Sequence, residues 1–369
     1  MRPDALATAV GLTALIVGAA PLAGVARSWL QSALGPRFAV LLLGTLACTV
    51  AAALAAGMYR RGRPSPARWA RLAGALAIAA AWVGATASAD PAIRAVELVH
   101  FVEYGVITWA FVRAWQARAG AWAYVLAGLA AFLAGIAEEA YQWWLPARVG
   151  ELRDVWLNGV AIGCALLFTS GLVTPTPDRS PRVPTGPVVP LVARMIALAV
   201  CALAAFVHVV HLGVRITDGP TSFHSRFTPE ELAGAARDRA ARWSVAPPLV
   251  RPDRLSREDQ YTTEGVQHVQ ARNTAWTNGD AVTAWHENRI LEGAFAPVLD
   301  TPSYLARTGH RWSPAQRADA EARAGAVLLQ PFESAAFPYP LYVWPPAAVW
   351  ASALAAAVGC LWWGRRGAA

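Results

Sequence analysis

Three short stretches carry side chains that could do chemistry inside an otherwise apolar chain: VELVHFVEYG, GIAEEAYQWW and LRDVWLNGVAIG. In the first, Glu97, His100 and Tyr104 are spaced i, i+3, i+7 and share one helical face, with Glu103 one step aside. In the second, Glu138 and Gln142 are i, i+4, and in the third Asp154 and Asn158 are i, i+4. An imidazole beside carboxylates suits two kinds of chemistry. It can ligate a divalent metal, or it can act as a base oriented by an acid. His100, Glu138 and Asp154 are therefore the candidate catalytic residues. Tyr104, Gln142, Asn158 and Arg148 are the candidate ligand-binding ones, with the Arg148 guanidinium suited to a phosphate or carboxylate. The same residues could serve a non-catalytic pocket, or an interhelical hydrogen-bond network that locks a bundle. No H-E-x-x-H or G-x-S-x-G motif is present. Cys164, two turns deeper than Asp154, reads as core. No metal and no cofactor is expected.

The elements that must position these residues are membrane spans. Of the 369 residues, 56% are hydrophobic and only 15% are charged, against about 25% in a soluble domain. Apolar runs long enough to cross a bilayer recur, at roughly 5–25, 38–58, 69–88, 96–117, 121–143, 153–173, 188–213 and 344–363. The first run also has signal-peptide features, but Asp4 and its long apolar core favour an uncleaved helix. Arginine sets the sidedness. Arg60, Arg61, Arg63, Arg68, Arg71, Arg113, Arg118, Arg179 and Arg182 fall in alternate loops, and Arg365 and Arg366 follow the last span. The positive-inside rule puts those loops and both termini in the cytoplasm. The polar segment 214–343 is then extracytoplasmic. It is nearly neutral, so the net charge of +8 belongs to the membrane part and reads as a topology signal and contact with anionic lipids. Nucleic-acid binding finds no support. The four cysteines all lie in apolar runs, without a C-x-x-C pair.

This topology brings the three polar faces to one depth, at the outer ends of the fourth, fifth and sixth spans. Ionisable groups there are costly against lipid and should turn inward. Glu139 falls off the inward face, and Glu151 and Arg153 fall on the loop rim. Trp143, Trp144, Trp344 and Trp350 read as markers of the outer interface.

The expected fold is thus all-α, a polytopic transmembrane helical bundle of about eight spans with a helical extracytoplasmic domain between the last two. Its parts are residues 1–37 with the first span, a membrane domain over 38–173, a Pro-rich linker over 174–187, the seventh span over 188–213, the outer domain over 214–343, and the last span and tail over 344–369. In the outer domain, helices begin at Thr228-Pro229 and Ser313-Pro314, and a third ends at the TNGD turn, 277–280. His268 and His286 flank that turn and, like His224 and His310, are expected to face solvent. His208 and His211 read as an interfacial pair.

Residues 38–173 resemble the VanZ-like family of bacterial membrane proteins. The matching residues are His100 and Tyr104, Glu138 and Gln142, Pro146 and Arg148, then Asp154, Asn158 and Gly163. The order and spacing of the second block are the specific part. The loop reads Pro146-Ala147-Arg148 where the family usually has Pro-Gly-Arg, and the segments outside 38–173 are not part of the pattern. The resemblance implies a plasma-membrane protein of the bacterial cell envelope, with a role in resistance to glycopeptides of the teicoplanin type or in handling a lipid-linked precursor at the outer leaflet. Membrane lipids, such a precursor or a glycopeptide are the implied partners. A membrane-embedded hydrolase or transferase, and a scaffold or sensor whose outer domain binds a partner, stand as alternatives. The sequence sets no oligomeric state.

Overall fold

The computed structural model describes residues 3–61, 64–86, 90–145, 148–172, 188–244, 257–302, 308–337 and 339–366. The expected linker 174–187 and the loop residues Pro146 and Ala147 lie outside them. The chain divides into two compact units. One contains residues 1–142, 150–206 and 349–369, and the other contains 143–149 and 207–348.

The first unit is helical. Its elements are α1 (Pro3–Gly18), α2 (Ala20–Leu34), α3 (Arg37–Arg61), α4 (Pro66–Thr86), α5 (Pro91–Glu97), α6 (Val99–Ala119), α7 (Trp122–Trp144), α8 (Leu152–Leu172), α9 (Val188–Val210) and, after the second unit, a last helix over Pro346–Arg366. Among the described residues seven helices, with α5 and α6 taken as one, are long and apolar enough to cross a membrane, and α1 with α2 passes the same test only as a bent pair. That pair is bent by 54°, so the first span is not the straight helix over 5–25 that its hydropathy suggests. Pro21 sits in the first turn of α2. It lacks the N–H that a continuous helix would need there, which breaks the ladder. The fourth span starts earlier than expected, because the Asp90 side chain caps α5 by accepting from Ala92 N at 2.8 Å.

Packing follows small residues and backbone complementarity, as expected where lipid removes most of the hydrophobic driving force. α4 runs against α8, and α6 against both α8 and α1. A core of Ile107, Phe111, Ala127, Ala131, Ala161 and Ile162 ties α6, α7 and α8 together. Arg68 donates from Nε to Gly171 O at 2.6 Å and from Nη2 to Leu172 O at 2.7 Å. These are the last carbonyls of α8, which have no partner within their own helix. Hydroxyls on the apolar helices, such as Thr45 and Thr49, donate to the carbonyl four residues back.

The second unit contains β1 (Val214–Asp218), β2 (Thr221–Ser225), α10 (Pro229–Trp243), α11 (Arg257–Thr277), α12 (Ala281–Ala294), α13 (Ala296–Leu299), α14 (Pro314–Ala324), a short 3-10 turn over Gly325–Leu329 and β3 (Phe332–Glu333). The helix starts match the expected ones. Thr228 with Glu231 and Ser313 with Gln316 form reciprocal capping boxes, and Asp280 caps α12. The domain is not purely helical, however. A β1–β2 hairpin turns at Gly219, φ 59°, and β3 joins β2 in parallel. The core gathers Phe223, Phe227, Trp243, Tyr261, Phe295 and Leu299 from sheet and helices.

Three buried charged residues pin this unit. Glu264 accepts from the Ser225 hydroxyl at 2.6 Å and from Arg226 N at 3.0 Å. Burial raises the pKa of its carboxyl. Glu287 accepts from Ser334 at 2.5 Å and pairs with His268 Nδ1 at 2.6 Å. Arg272, 2% exposed, donates to Asn288 Oδ1 at 2.9 Å and His310 O at 2.6 Å while lying over the Trp312 ring. Its neutral partners do not offset the burial, which pulls its pKa down to about 10. His268, His286 and His310 are buried, contrary to the expectation of exposure: His268 packs on Phe223 and Phe295, His286 on Phe332, and His310 sits where its carbonyl takes the buried Arg272. Gly265 lets α13 close on α11. A Cβ there would lie 2.7 Å from Val298 Cγ2 and 3.1 Å from its Cβ, and a buried β-branched side chain has little freedom to move. Gly265→Ala should therefore destabilise the second unit by about 1–3 kcal/mol, read as a lower unfolding midpoint of the full chain.

Candidate functional site

The three polar faces meet. Tyr104 on α6 donates its hydroxyl to Glu138 Oε2 on α7 at 2.5 Å, and Gln142 Nε2 donates to Glu138 Oε1 at 3.0 Å. Glu138, Gln142 and Asn158 are all buried. His100 Nδ1 lies 2.9 Å from Asn158 Oδ1 on α8, and the His100 ring stacks over Tyr104. Asn158 Nδ2 reaches on to Glu139 Oε1 at 3.5 Å, and Glu139 Oε2 accepts from Glu151 N at 3.3 Å. The result is two linked strings, Tyr104–Glu138–Gln142 and His100–Asn158–Glu139–Glu151. They join through the ring stack and through the adjacent carboxylates of α7.

Two expectations are corrected. Glu139 is not off the inward face but fully buried, 0% exposed. α7 is enclosed on more than one side, so neighbours 100° apart both find interior partners. Arg153 is more than a rim residue, because it donates to Glu97 Oε1 at 2.5 Å and so ties the start of α8 to the end of α5. The expected pairing of His100 with Glu138 or Asp154 does not form. Asn158 holds the imidazole instead, since it lies one turn deeper than Asp154. The Asp154 carboxylate is 23% exposed and lies 3.6 Å from Arg153 Nη1. Arg148, half-buried, follows α7 and donates its backbone N–H to Leu145 O. Gly163 meets nothing a Cβ would disturb.

Gly135 is the residue that spacing could not reveal. It lies one turn before Glu138 and Glu139, and a Cβ there would sit 3.2 Å from the Tyr104 hydroxyl and 3.3 Å from Asn158 Cβ. Its hydrogen is what lets α6 and α8 close on α7 at this level. Trp143 belongs with the second unit. It is buried, donates from Nε1 to the Tyr339 oxygen at 3.0 Å and lies under the Arg226 guanidinium, while Trp144 is exposed. His211, also in the second unit, holds Pro340 O through Nδ1 at 2.8 Å, and His208 is exposed.

Chemically, the arrangement offers two buried carboxylates served by neutral donors and a histidine with one free ring nitrogen. Among the described residues no three His, Cys, Asp or Glu side chains come together to hold a metal, and none of the described hydrogen bonds hands His100 a carboxylate partner.

Burial and the nearby Asp154 and Glu97 carboxylates raise Glu151 to about pKa 7, against the opposing pull of Arg153. A raised carboxyl favours the folded state while protonated. The stability it contributes is full below about pH 4.5 and is lost as the pH rises through about 7. The unfolding midpoint of the detergent-solubilised chain should fall over that window, and Glu151→Gln should flatten the decline. Gly135→Ala should cost about 1–3 kcal/mol by forcing Tyr104 and Asn158 apart, measured the same way. No family model matches the chain, and no curated protein and no solved structure is similar to it.

Proposed function

We propose that the chain is a VanZ-like multi-pass protein of the bacterial plasma membrane, with both termini cytoplasmic and residues 214–343 extracytoplasmic. Its polar cluster binds the head group of a lipid-linked envelope precursor, or a glycopeptide, at the outer leaflet. One observation carries this reading. His100 is oriented by Asn158 through Nδ1, is itself only half-buried, and its other ring nitrogen takes no hydrogen bond from the described residues. An oriented imidazole with an open valence is a ready contact for a polar group arriving from outside the bundle. Ionisable residues inside spans are retained chiefly where they serve a site. Binding is favoured over hydrolysis or transfer because an amide, not a carboxylate, supports the ring.

A second reading is favoured by Glu138. Tyr104 and Gln142 serve its two oxygens, so this half of the cluster serves as a lock between helices. The protein is then a scaffold or sensor whose outer domain does the binding. The two readings part on substitution. His100→Ala should leave protein abundance unchanged while weakening ligand affinity by about tenfold, one lost hydrogen bond, seen as increased teicoplanin susceptibility of the host cell. Glu138→Ala should lower abundance. Unchanged susceptibility in His100→Ala at normal abundance removes the head-group reading, and a cytoplasmic signal from a reporter fused after residue 280 removes the sidedness on which it depends.

A further inference from the structure

The second unit contains a cleft of about 280 Å³ beneath the segment that follows β3, lined by His224, His268, Ser334, Phe337, Tyr339 and Leu341 among others. That is near the lower end of small-molecule pockets, roughly 300–1,000 Å³. Its wall contains a built acid–imidazole pair. Glu287 and His268 are each 1% exposed and 2.6 Å apart. Ser334 donates its hydroxyl to the other Glu287 oxygen and accepts from Ala336 N at 3.2 Å, which fixes its own proton on the glutamate side. With Glu287 as the carboxylate its other oxygen also accepts, and Nδ1 is then the protonated nitrogen of His268. A neutral imidazole protonated at Nδ1 has a bare lone pair at Nε2. Phe295 stacks on the ring at 5.3 Å and Phe223 meets it edge-on at 5.4 Å, so the ring cannot swing.

Nε2 of His268, like that of His286 and His310, is buried and has no hydrogen-bond partner among the described residues, and of the three only His268 lines the cleft. A buried acceptor left unmade is costly, and native structures seldom leave one without a reason. Here a carboxylate holds the imidazole, two aromatic rings clamp it, and its open nitrogen belongs to a residue lining a cleft. The described lining residues include no Asp, Glu or Arg, so its polar groups are imidazoles and hydroxyls, which suit a neutral ligand better than a charged one. Phe337 and Tyr339 offer apolar faces beside the polar histidines and Ser334.

We propose that this cleft is a binding site for a neutral, hydroxyl-bearing ligand of monosaccharide size, with a ligand hydroxyl donating to His268 Nε2 and the ring's C–H face lying on the aromatic wall. The cleft's described lining lies wholly within the second unit, and no part of the proposal rests on the envelope reading.

The test is calorimetric titration of N-acetylglucosamine and of glucose into the full-length protein in nanodiscs, which avoids sugar detergents, with glucuronate as the charged control. His268→Asn keeps a nitrogen where Nδ1 donates to Glu287 but deletes Nε2. It should weaken binding of the neutral sugars by about tenfold or more, the loss of one buried hydrogen bond. Ala336→Trp puts a bulky side chain on the segment that lines the cleft and leaves His268 and Glu287 themselves unchanged. It should abolish binding, which keeps the site testable if His268→Asn unfolds. Saturable binding of a neutral sugar, lost in these variants, supports the site. No binding of either neutral sugar overturns it and leaves Nε2 to water. Undiminished binding in a folded His268→Asn protein or in Ala336→Trp also overturns it, as does a preference for glucuronate.

Discussion

The first unit depends on one constraint: a carboxylate inside an apolar helix must find donors, and the donors must come from other elements. Each unsatisfied polar group in such surroundings costs several kcal/mol, by order of magnitude. Glu138 draws on Tyr104 of α6, Glu139 on Asn158 of α8, and Glu97 on Arg153. Sliding any of these helices by one residue would separate the partners, so the polar groups fix the register that interchangeable alanines and leucines leave loose. Gly135 is the permissive half of the same arrangement. Donors reach acceptors only where the backbones can approach, and the approach is closest one turn from the carboxylates.

The second unit applies the same rule. Glu264 joins β2 to α11 through Ser225 and the Arg226 amide, Glu287 joins α11, α12 and the segment after β3, and Arg272 joins α11 to α12 and to the loop before α14. Each connects segments distant in sequence that apolar packing alone would leave free to slide. Buried charges of this kind add little net stability when well paired and cost a great deal when one partner is lost. Their value here lies in choosing one packing among several.

What could be read from the sequence follows from which interactions are local. Capping boxes span three residues, so Thr228-Glu231 and Ser313-Gln316 mark their helices unaided. The i, i+4 pairs on α7 and α8, once combined with a common depth, were enough to bring Glu138, Gln142 and Asn158 toward one place. Long-range partners were not legible. β1 and β2 are five residues each, too short for the alternation of Val214, Arg215, Ile216 and Thr217 to stand out, and β3 has two residues paired across more than a hundred in sequence. Glu139 was misplaced because a helical wheel assumes one interior face. His268 was read as exposed because its partner lies across the α11–α12 turn, and only the finished hairpin brings Glu287 to it. The bend at Pro21 was legible in principle, but hydropathy counts a proline by its polarity and not by its missing N–H.

The two units differ in how far their polar groups are consumed by folding. In the membrane unit the carboxylates meet donors from the chain itself, and the open valence is the outer nitrogen of half-buried His100. In the second unit Glu287 holds His268 with one oxygen and Ser334 with the other, and the outer nitrogen of His268 is buried in a residue that lines a cleft. A carboxylate that orients an imidazole without using its second nitrogen contributes little to packing that an apolar pair could not supply more cheaply. Holding that lone pair in one direction is useful only to something outside the fold. The clamp of Phe223 and Phe295 strengthens the argument, because a ring needed only for its volume has no need of a fixed tautomer. The degree to which a buried polar group remains unsatisfied after folding is thus the most direct physical guide to where each unit can bind a ligand.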